Sequence, residues 1–569
     1  MTESKRKEQR SENSAAAQDR NDQTNDASFA IADQEKCSPW LLFALPVALG
    51  FLLALVVTIV NVIRSIDAQA FYLGLDGLRV WILGLGVALL LIAGFAMYFR
   101  PRFKTLLVAC SFVFALGFLS YRLVRIESFY GNMVPRLTWS WTPTAEQRVE
   151  EYLVSRNVDK AQHEVQPIEE SFFASTENDF PCFLGTEGDG SLPHVHLSSD
   201  WHSRSPELLW RHPIGLGWAS FAIVGQAAVT MEQRGESECV VCYDALTGDE
   251  LWVHHDTRRF EDEHGDGPRT TPAISDGLVY SLGADGLLLC LRLADGQLLW
   301  QAETLQNREE DNLLWGMSGS PLVAKGRVFV TPGGKGQSAM CFDASSGALR
   351  WKSGDDRGAY SSPMLVNLEG QEQLLSFNGA GLRAFDAQSG EPLWLVPWLT
   401  QGEMQRVNVA QPIQLENAKD GHAAEFLLSS GYGRGTARIA LAKEDGQWST
   451  QTLWHSIRLR SKMSNFIVFK DHVYGLDSGI LTCINVENGK RVWKRGRYGH
   501  GQMLLAGNKL LIQAENGQVV LVAASPEGHQ VLGEINALDG KTWNNLALAG
   551  DLLIVRNDNE AAAYKLPLE

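Results

Sequence analysis

Five eleven-residue segments repeat one pattern along the chain: CYDALTGDELW (242–252), CLRLADGQLLW (290–300), CFDASSGALRW (341–351), AFDAQSGEPLW (384–394) and CINVENGKRVW (483–493). In each, glycine stands six residues after the first position and tryptophan ten. A short strand ending in a polar residue, a turn whose glycine supplies positive φ, and a return strand ending in a large aromatic predict a hairpin. Alternating pairs such as SPLVAKGRVFV precede the hairpins, so each unit is four short strands. Units of this size predict propeller blades, not βαβ layers. Weaker copies end at Trp454 and near Leu532, and ELLWRHP supplies a fourth strand ending at Trp210. The last stretch, WNNLALAGDLLIVRNDNEAAAYKL, offers three strands with no fourth. Pairing it with ELLWRHP removes free edges and predicts an all-β fold, an eight-bladed β-propeller over 180–568 with N-terminal transmembrane helices.

The 569 residues carry 66 acids against 50 bases, a formal charge of −16. No overall basic field draws such a chain onto nucleic acid, so a nucleic-acid partner is not expected. Cys242, Cys290, Cys341 and Cys483 hold one position in four different units, which symmetry keeps beyond disulfide reach; small apolar fillers are expected. The repeated tryptophans are expected to pack between blades.

Upstream, 1–36 is polar and aperiodic, an expected disordered cytoplasmic tail. Uncharged runs at 39–63, 80–99 and 105–121 predict three transmembrane helices. Arg100, Arg102 and Lys104 between the last two, with Lys5, Arg6, Lys7 and Arg10 in the tail, place those segments in the cytoplasm. The expected placement is therefore multi-pass in the inner membrane, with the propeller on the periplasmic side. The linker 122–179 contains TAEQRVEEYLVSRNVDKAQ (144–162), a helical mix with Thr142 or Thr144 as a cap, expected to space the disc from the bilayer.

The hairpin followed by a Ser-Pro or Thr-Pro strand, as in SSPML (361–365), GSPLV (319–323) and TTPAI, resembles the pyrroloquinoline-quinone (PQQ) repeat of quinoprotein alcohol dehydrogenase-like propellers. That resemblance implies the fold. It leaves function open, because the superfamily holds quinone-dependent dehydrogenases and also non-enzymatic members, among them an outer-membrane assembly lipoprotein that binds partners.

In a propeller the starts of the innermost strands converge on one mouth. Here they bring Trp218, Arg269, Trp315, Tyr360, Asn408, Asn465, His500, Trp543 and Asn544 around one axis, a funnel suited to a planar or sugar-like ligand. The plainer alternative is that these side chains plug the channel. The family's dehydrogenases use calcium with Glu, Asn and Asp, an Asp base and often adjacent cysteines. Those strand starts contain no Asp or Glu, no two cysteines are adjacent, and CVVCY (239–243) has Tyr243 where a haem attachment needs histidine. The expected function is a binding or scaffold module for a protein segment or glycan, with no catalytic residues, no metal and no cofactor. The alternative is an alcohol or polyol dehydrogenase using PQQ with calcium. FEDEHGDG (260–267) is a candidate cation loop or a solvated one, GYGRGT (431–436) and GGKGQS (333–338) lack the context of nucleotide loops, and His254 and His255 face opposite sides of a strand.

Overall fold

A computed structural model describes residues 115, 122–130, 135–160, 169–262, 264–400, 406–416, 418 and 421–569. The chain divides into Met1–Leu119 and Ser120–Glu569, and everything below belongs to the second unit. The tail at 1–36 and the spans at 39–63, 80–99 and 105–121 lie outside the described residues, Ala115 apart. Among the described residues no helix is long and apolar enough to cross a membrane.

The described residues are mostly strand and propeller-like. Eight antiparallel sheets follow one another along the chain, at 222–256, 273–303, 322–353, 364–397, 413–456, 461–497, 502–536 and 547–565; they are called sheets 1 to 8 in that order. The three C-terminal strands of sheet 8 are completed by Glu207–Pro213, with Ala563 opposite Trp210 and Ala561 opposite His212. Sheet 7 gains a short parallel strand, Ser191–Leu192. Buried apolar residues lie between the sheets: Cys239 joins the cluster shared with sheets 7 and 8, whereas Cys242, three residues on, joins the one shared with sheet 2. Cys239, Cys242, Cys290, Cys341 and Cys483 are free thiols in these interfaces.

The repeat motif locks each sheet to the next. Trp252 donates its indole N–H to Leu293 O at 2.8 Å, Trp300 to Ala344 O at 2.9 Å and Trp351 to Ala387 O at 3.2 Å. The same bond leaves Trp210, Trp454 and Trp493. The indoles of Trp210, Trp252, Trp300, Trp351 and Trp454 also lie against the glycine of the following hairpin. A Cβ on Gly296 (φ +69°) would stand 2.5 Å from the Trp252 ring, so the position needs glycine for space as well as for conformation. Trp394 departs from the pattern. Sheet 5, which follows it, joins two ten-residue strands by a two-residue turn between Glu444 and Gln447 in place of the six-residue turn of the repeat, and Trp394 bonds Gln373 Oε1 instead.

Polar side chains at the starts of the innermost strands form a circuit through all eight sheets. Ser220 N donates to Thr271 Oγ1, Thr271 N to Ser320 Oγ and Ser320 N to Ser362 Oγ. Gln411 Nε2 donates to Ser362 O while Gln411 N donates to Asn465 Oδ1. Gln502 Nε2 spans Met463 O and Trp543 O, and Ser220 Oγ closes the circuit on Asn545 O at 2.6 Å.

The linker holds more than the expected helix. A hairpin, Val124–Phe129 with Pro135–Trp139, precedes helix α1, Ala145–Lys160. Thr144 caps α1 reciprocally with Gln147: Gln147 N donates to Thr144 Oγ1 at 3.2 Å and Thr144 N to Gln147 Oε1 at 2.8 Å. Helix α1 docks over the seam between sheets 8 and 1, where Tyr152 stacks on His212 at 4.9 Å, Arg148 bonds Asn559 and Arg156 pairs with Asp249.

Candidate functional site

Innermost strands start at one end of each sheet, and the turn between the second and third strands returns to that same end. Both sets of residues therefore build the mouth. Trp218 and Trp543 pack at 5.2 Å between centroids, and the buried Lys541 places Nζ 4.6 and 4.5 Å from the two rings while donating to His264 O at 2.7 Å. Trp315 packs on Tyr360 at 5.2 Å and takes the His264 ring edge-on at 5.6 Å. Arg269 donates to Gly265 O at 2.7 Å and lies over Phe260, and the same Gly265 O receives the Trp218 indole N–H at 3.4 Å. Gly265 (φ +138°) lets the 260–267 loop lie flat on Trp218, since a Cβ there would stand 2.5 Å from the ring.

Five of the residues singled out in the sequence thus surround one loop: Trp218, Arg269, Trp315, Tyr360 and Trp543. The other four are placed differently. Asn408 is fully buried, with Nδ2 donating to Asn378 O and Oδ1 accepting from Ser430 Oγ. Asn465 belongs to the hydrogen-bond circuit, and Asn544 Nδ2 donates to Ala219 O at 2.8 Å across the seam. His500 presents its backbone N–H to Glu515.

The mouth holds acids although the strand starts carry none. Glu515, in the turn between the second and third strands of sheet 7, accepts from the Trp543 indole at 2.8 Å and from His500 N at 3.2 Å. Asp262 accepts from His264 and faces Arg269 at 3.7 Å. Asp558 comes from the corresponding turn of sheet 8. The signal was available: reading the return turns together with the strand starts points to both Glu515 and Asp558. Nothing comparable flagged Lys541, or the hairpin residues Arg125 and Glu127. Those two, with Thr144, Glu146, Asp262, His264, Lys541 and Asp558, line a pocket of about 280 Å³ between the N-terminal hairpin and the mouth.

Burial sets the charge states here. It pulls Lys541 down despite Asp558 and Glu515, pushes Asp558 up despite Lys541, and holds Arg269 at about 10. Burial also raises Asp262, but hydrogen bonds from His264 and the charge of Arg269 outweigh it and leave the carboxyl below its ordinary value.

These residues do not fit a calcium–quinone site. Each carboxylate near the rings already answers a specific donor, and among the described residues no three His, Cys, Asp or Glu converge on a point suited to a metal ion. In and beside the circuit, Gln502, Gln513, Asn544 and Asn545 keep buried amide oxygens without a partner. Neutral amides alone do not hold a dication against its hydration. The 260–267 loop, a cation candidate in the sequence, instead ties Asp266 to Arg259 and to the backbone of Asp262.

Residues 236–495 match the family described as outer membrane protein assembly factor BamB, over the span that holds most of the Gly/Trp hairpins. The chain carries a PQQ-repeat propeller. The BamB of Yersinia pestis is 27% identical over 266 residues, which are 44% of this chain and 59% of that protein. The chain thus spans less than two thirds of that relative's length. The quinohemoprotein alcohol dehydrogenase of Comamonas testosteroni superposes with a TM-score of 0.50 at 12% identity, covering 70% of this chain and 82% of its own. That likeness shows the fold alone. The BamB of Moraxella catarrhalis covers 63% of this chain and all of its own at 16% identity, with a TM-score of 0.48. The expected multi-pass placement in the inner membrane is corrected by the Yersinia relative, an outer membrane protein assembly factor by name. Hydropathy and Lys/Arg bias register apolar length and charge, and neither is an address.

Proposed function

We propose that this PQQ-repeat propeller is an eight-bladed, non-catalytic binding module whose mouth takes a segment of a partner protein. One observation carries the reading. The half-buried rings of Trp218, Trp315, Tyr360 and Trp543 face the mouth beside Lys541 and Arg269, while the amides of Asn408 and Asn465 and the Nδ2 of Asn544 are committed to joining strands and sheets. Aromatic anchors among a few fixed charges suit a polypeptide better than a redox cofactor. The role in outer membrane protein assembly that the Yersinia relative's name states supports the same direction.

A photo-crosslinking residue in place of the exposed Leu314, beside Trp315, tests it in cells producing the full chain. A discrete polypeptide adduct is expected, lost when Trp315 and Tyr360 are replaced by alanine. Retention on a glycan array without any polypeptide adduct would assign the mouth to sugar instead. Dye-linked alcohol oxidation on adding PQQ and calcium would overturn the reading.

A further inference from the structure

The outermost strand of a sheet exposes unpaired N–H and C=O groups, and proteins guard such edges with charge, proline or short length. Seven of the eight outer strands are guarded. Those of sheets 1, 2, 3, 6 and 7 carry Glu250 and Asp256, Glu303, Arg350 and Lys352, four bases of Arg491–Arg497, and Glu534 respectively. That of sheet 4 is bracketed by Pro392 and Pro397, and Glu207–Pro213 of sheet 8 lies under α1. All seven are five to seven residues long.

The eighth is different. Gln447–Ser456 of sheet 5, QWSTQTLWHS, is ten residues long with no acid, lysine, arginine or proline, and most of it is exposed. It is the last strand of its sheet, and among the described residues no backbone hydrogen bond reaches it from outside that sheet. At about 3.4 Å per residue it offers an edge of roughly 30 Å. Near it, on a chain whose net charge is −16, stand exposed bases: Arg458 on the loop that follows, Lys490 in the last turn of sheet 6, and Arg491 and Arg497 on that sheet's outer strand, opposite Ile484 and Ile480. Trp454 Nε1 donating to Val486 O at 2.9 Å fixes the two sheets side by side. Packed sheets lie about 10 Å apart, within reach of a glutamate on an added strand.

We propose that Gln447–Ser456 is a docking edge for an extended, acidic segment of a partner protein, which adds a fifth strand to sheet 5 and turns its carboxylates toward Arg491 and Arg497. Main-chain bonds supply the affinity in such strand addition and the side chains supply the choice of partner. A second copy of the chain is the poorer occupant, because −16 on each copy opposes pairing. The inference rests on the propeller being a binding module, at a surface separate from the mouth.

The test uses the full chain and a fluorescent ten-residue peptide of alternating valine and glutamate, with a valine–lysine peptide as control. The glutamate peptide is expected to bind saturably and more weakly as salt rises, and the lysine peptide not to bind. Successive residues aim their N–H groups to opposite sides, so one of Thr450→Pro and Gln451→Pro removes only an outward N–H. Whichever variant keeps the parent's melting temperature should lose affinity about tenfold or more. Arg491→Glu with Arg497→Glu should weaken binding by a similar factor, and Trp543→Ala should leave it unchanged. Absent binding, equal binding of the lysine peptide, indifference to the proline, or loss on Trp543→Ala would each overturn the docking edge. None of these outcomes bears on the crosslink from position 314, which tests the mouth separately.

Discussion

Arg556 reaches across the seam where sheet 8 meets sheet 1 and donates through Nη1 to Thr230 Oγ1 at 2.8 Å. The same guanidinium bonds Met231 O at 2.8 Å and Gly215 O at 2.9 Å, so a fully buried cation joins segments more than 300 residues apart. Burial pulls its pKa down, and the nearby charge of Glu232 opposes that pull. Arg556→Met should remove three charge-assisted bonds and leave buried acceptors unsatisfied, a loss on the order of 3–5 kcal/mol. Urea unfolding of the variant checks it. A midpoint shift worth less than about 1 kcal/mol would show that the seam does not depend on this residue.

Glu238 carries a pH signature. Its carboxyl is buried, accepts the Ala284 N–H at 3.0 Å, and is pushed by burial up to about 7 from an ordinary 4.5. Between those values the folded protein holds a proton that the unfolded chain has released. Stability therefore falls as pH rises from about 4.5 to 7, by on the order of 3 kcal/mol for this one group. Glu238→Gln keeps an acceptor for Ala284 and should remove that slope, leaving the variant more stable than the parent at pH 8. Parallel stability curves from pH 5 to 8 would contradict the assignment.

The sheets were legible because the Gly/Trp spacing is set by one contact, an indole against a glycine in the following sheet, and the same contact recurs at Trp210, Trp252, Trp300, Trp351 and Trp454. Sheet 5 hid its character for the reverse reason. Its hairpin closes through a two-residue turn in place of the repeat's six, so the motif that reveals the other units says nothing of the long edge at 447–456. At the mouth, Trp218, Arg269, Trp315, Tyr360 and Trp543 could be found because they begin strands. Glu515, Asp558 and Lys541 could not be found by that rule alone, since each takes its place from a turn or a loop closing on a neighbouring sheet. Asn408 shows the opposite error: a strand-start amide that looks ligand-binding in sequence is consumed by Asn378 and Ser430.

The glycine of the motif should be irreplaceable where the indole covers it. Gly296→Ala places a methyl 2.5 Å from the Trp252 ring at a φ of +69°, combining backbone strain with overpacking. A loss of about 2–4 kcal/mol is expected. Pairing it with Trp252→Leu, which vacates the space, should recover part of that loss in a double-mutant cycle. Additive losses would mean that the clash is not the cause.

Helix α1 should be detachable without unfolding the sheets. It is polar, and its hold on the propeller comes from a few contacts: Tyr152 on His212, Arg148 to Asn559 at 2.8 Å, and Glu146 to Arg259 at 2.9 Å. Its first turn depends on the reciprocal cap between Thr144 and Gln147. Thr144→Ala removes the oxygen that accepts from Gln147 N and should cost about 1 kcal/mol. Because the helix is marginal on its own, that loss should appear as faster amide exchange across 145–160, with the strands around Thr230 and Gln513 unchanged. Tyr152→Ala should act more strongly by deleting the stack. The same first turn lines the pocket beside Lys541 and Asp558, so both variants should also make the indole fluorescence of Trp218 and Trp543 more accessible to an aqueous quencher. Uniform loss of protection throughout the sheets would instead make α1 part of the cooperative core.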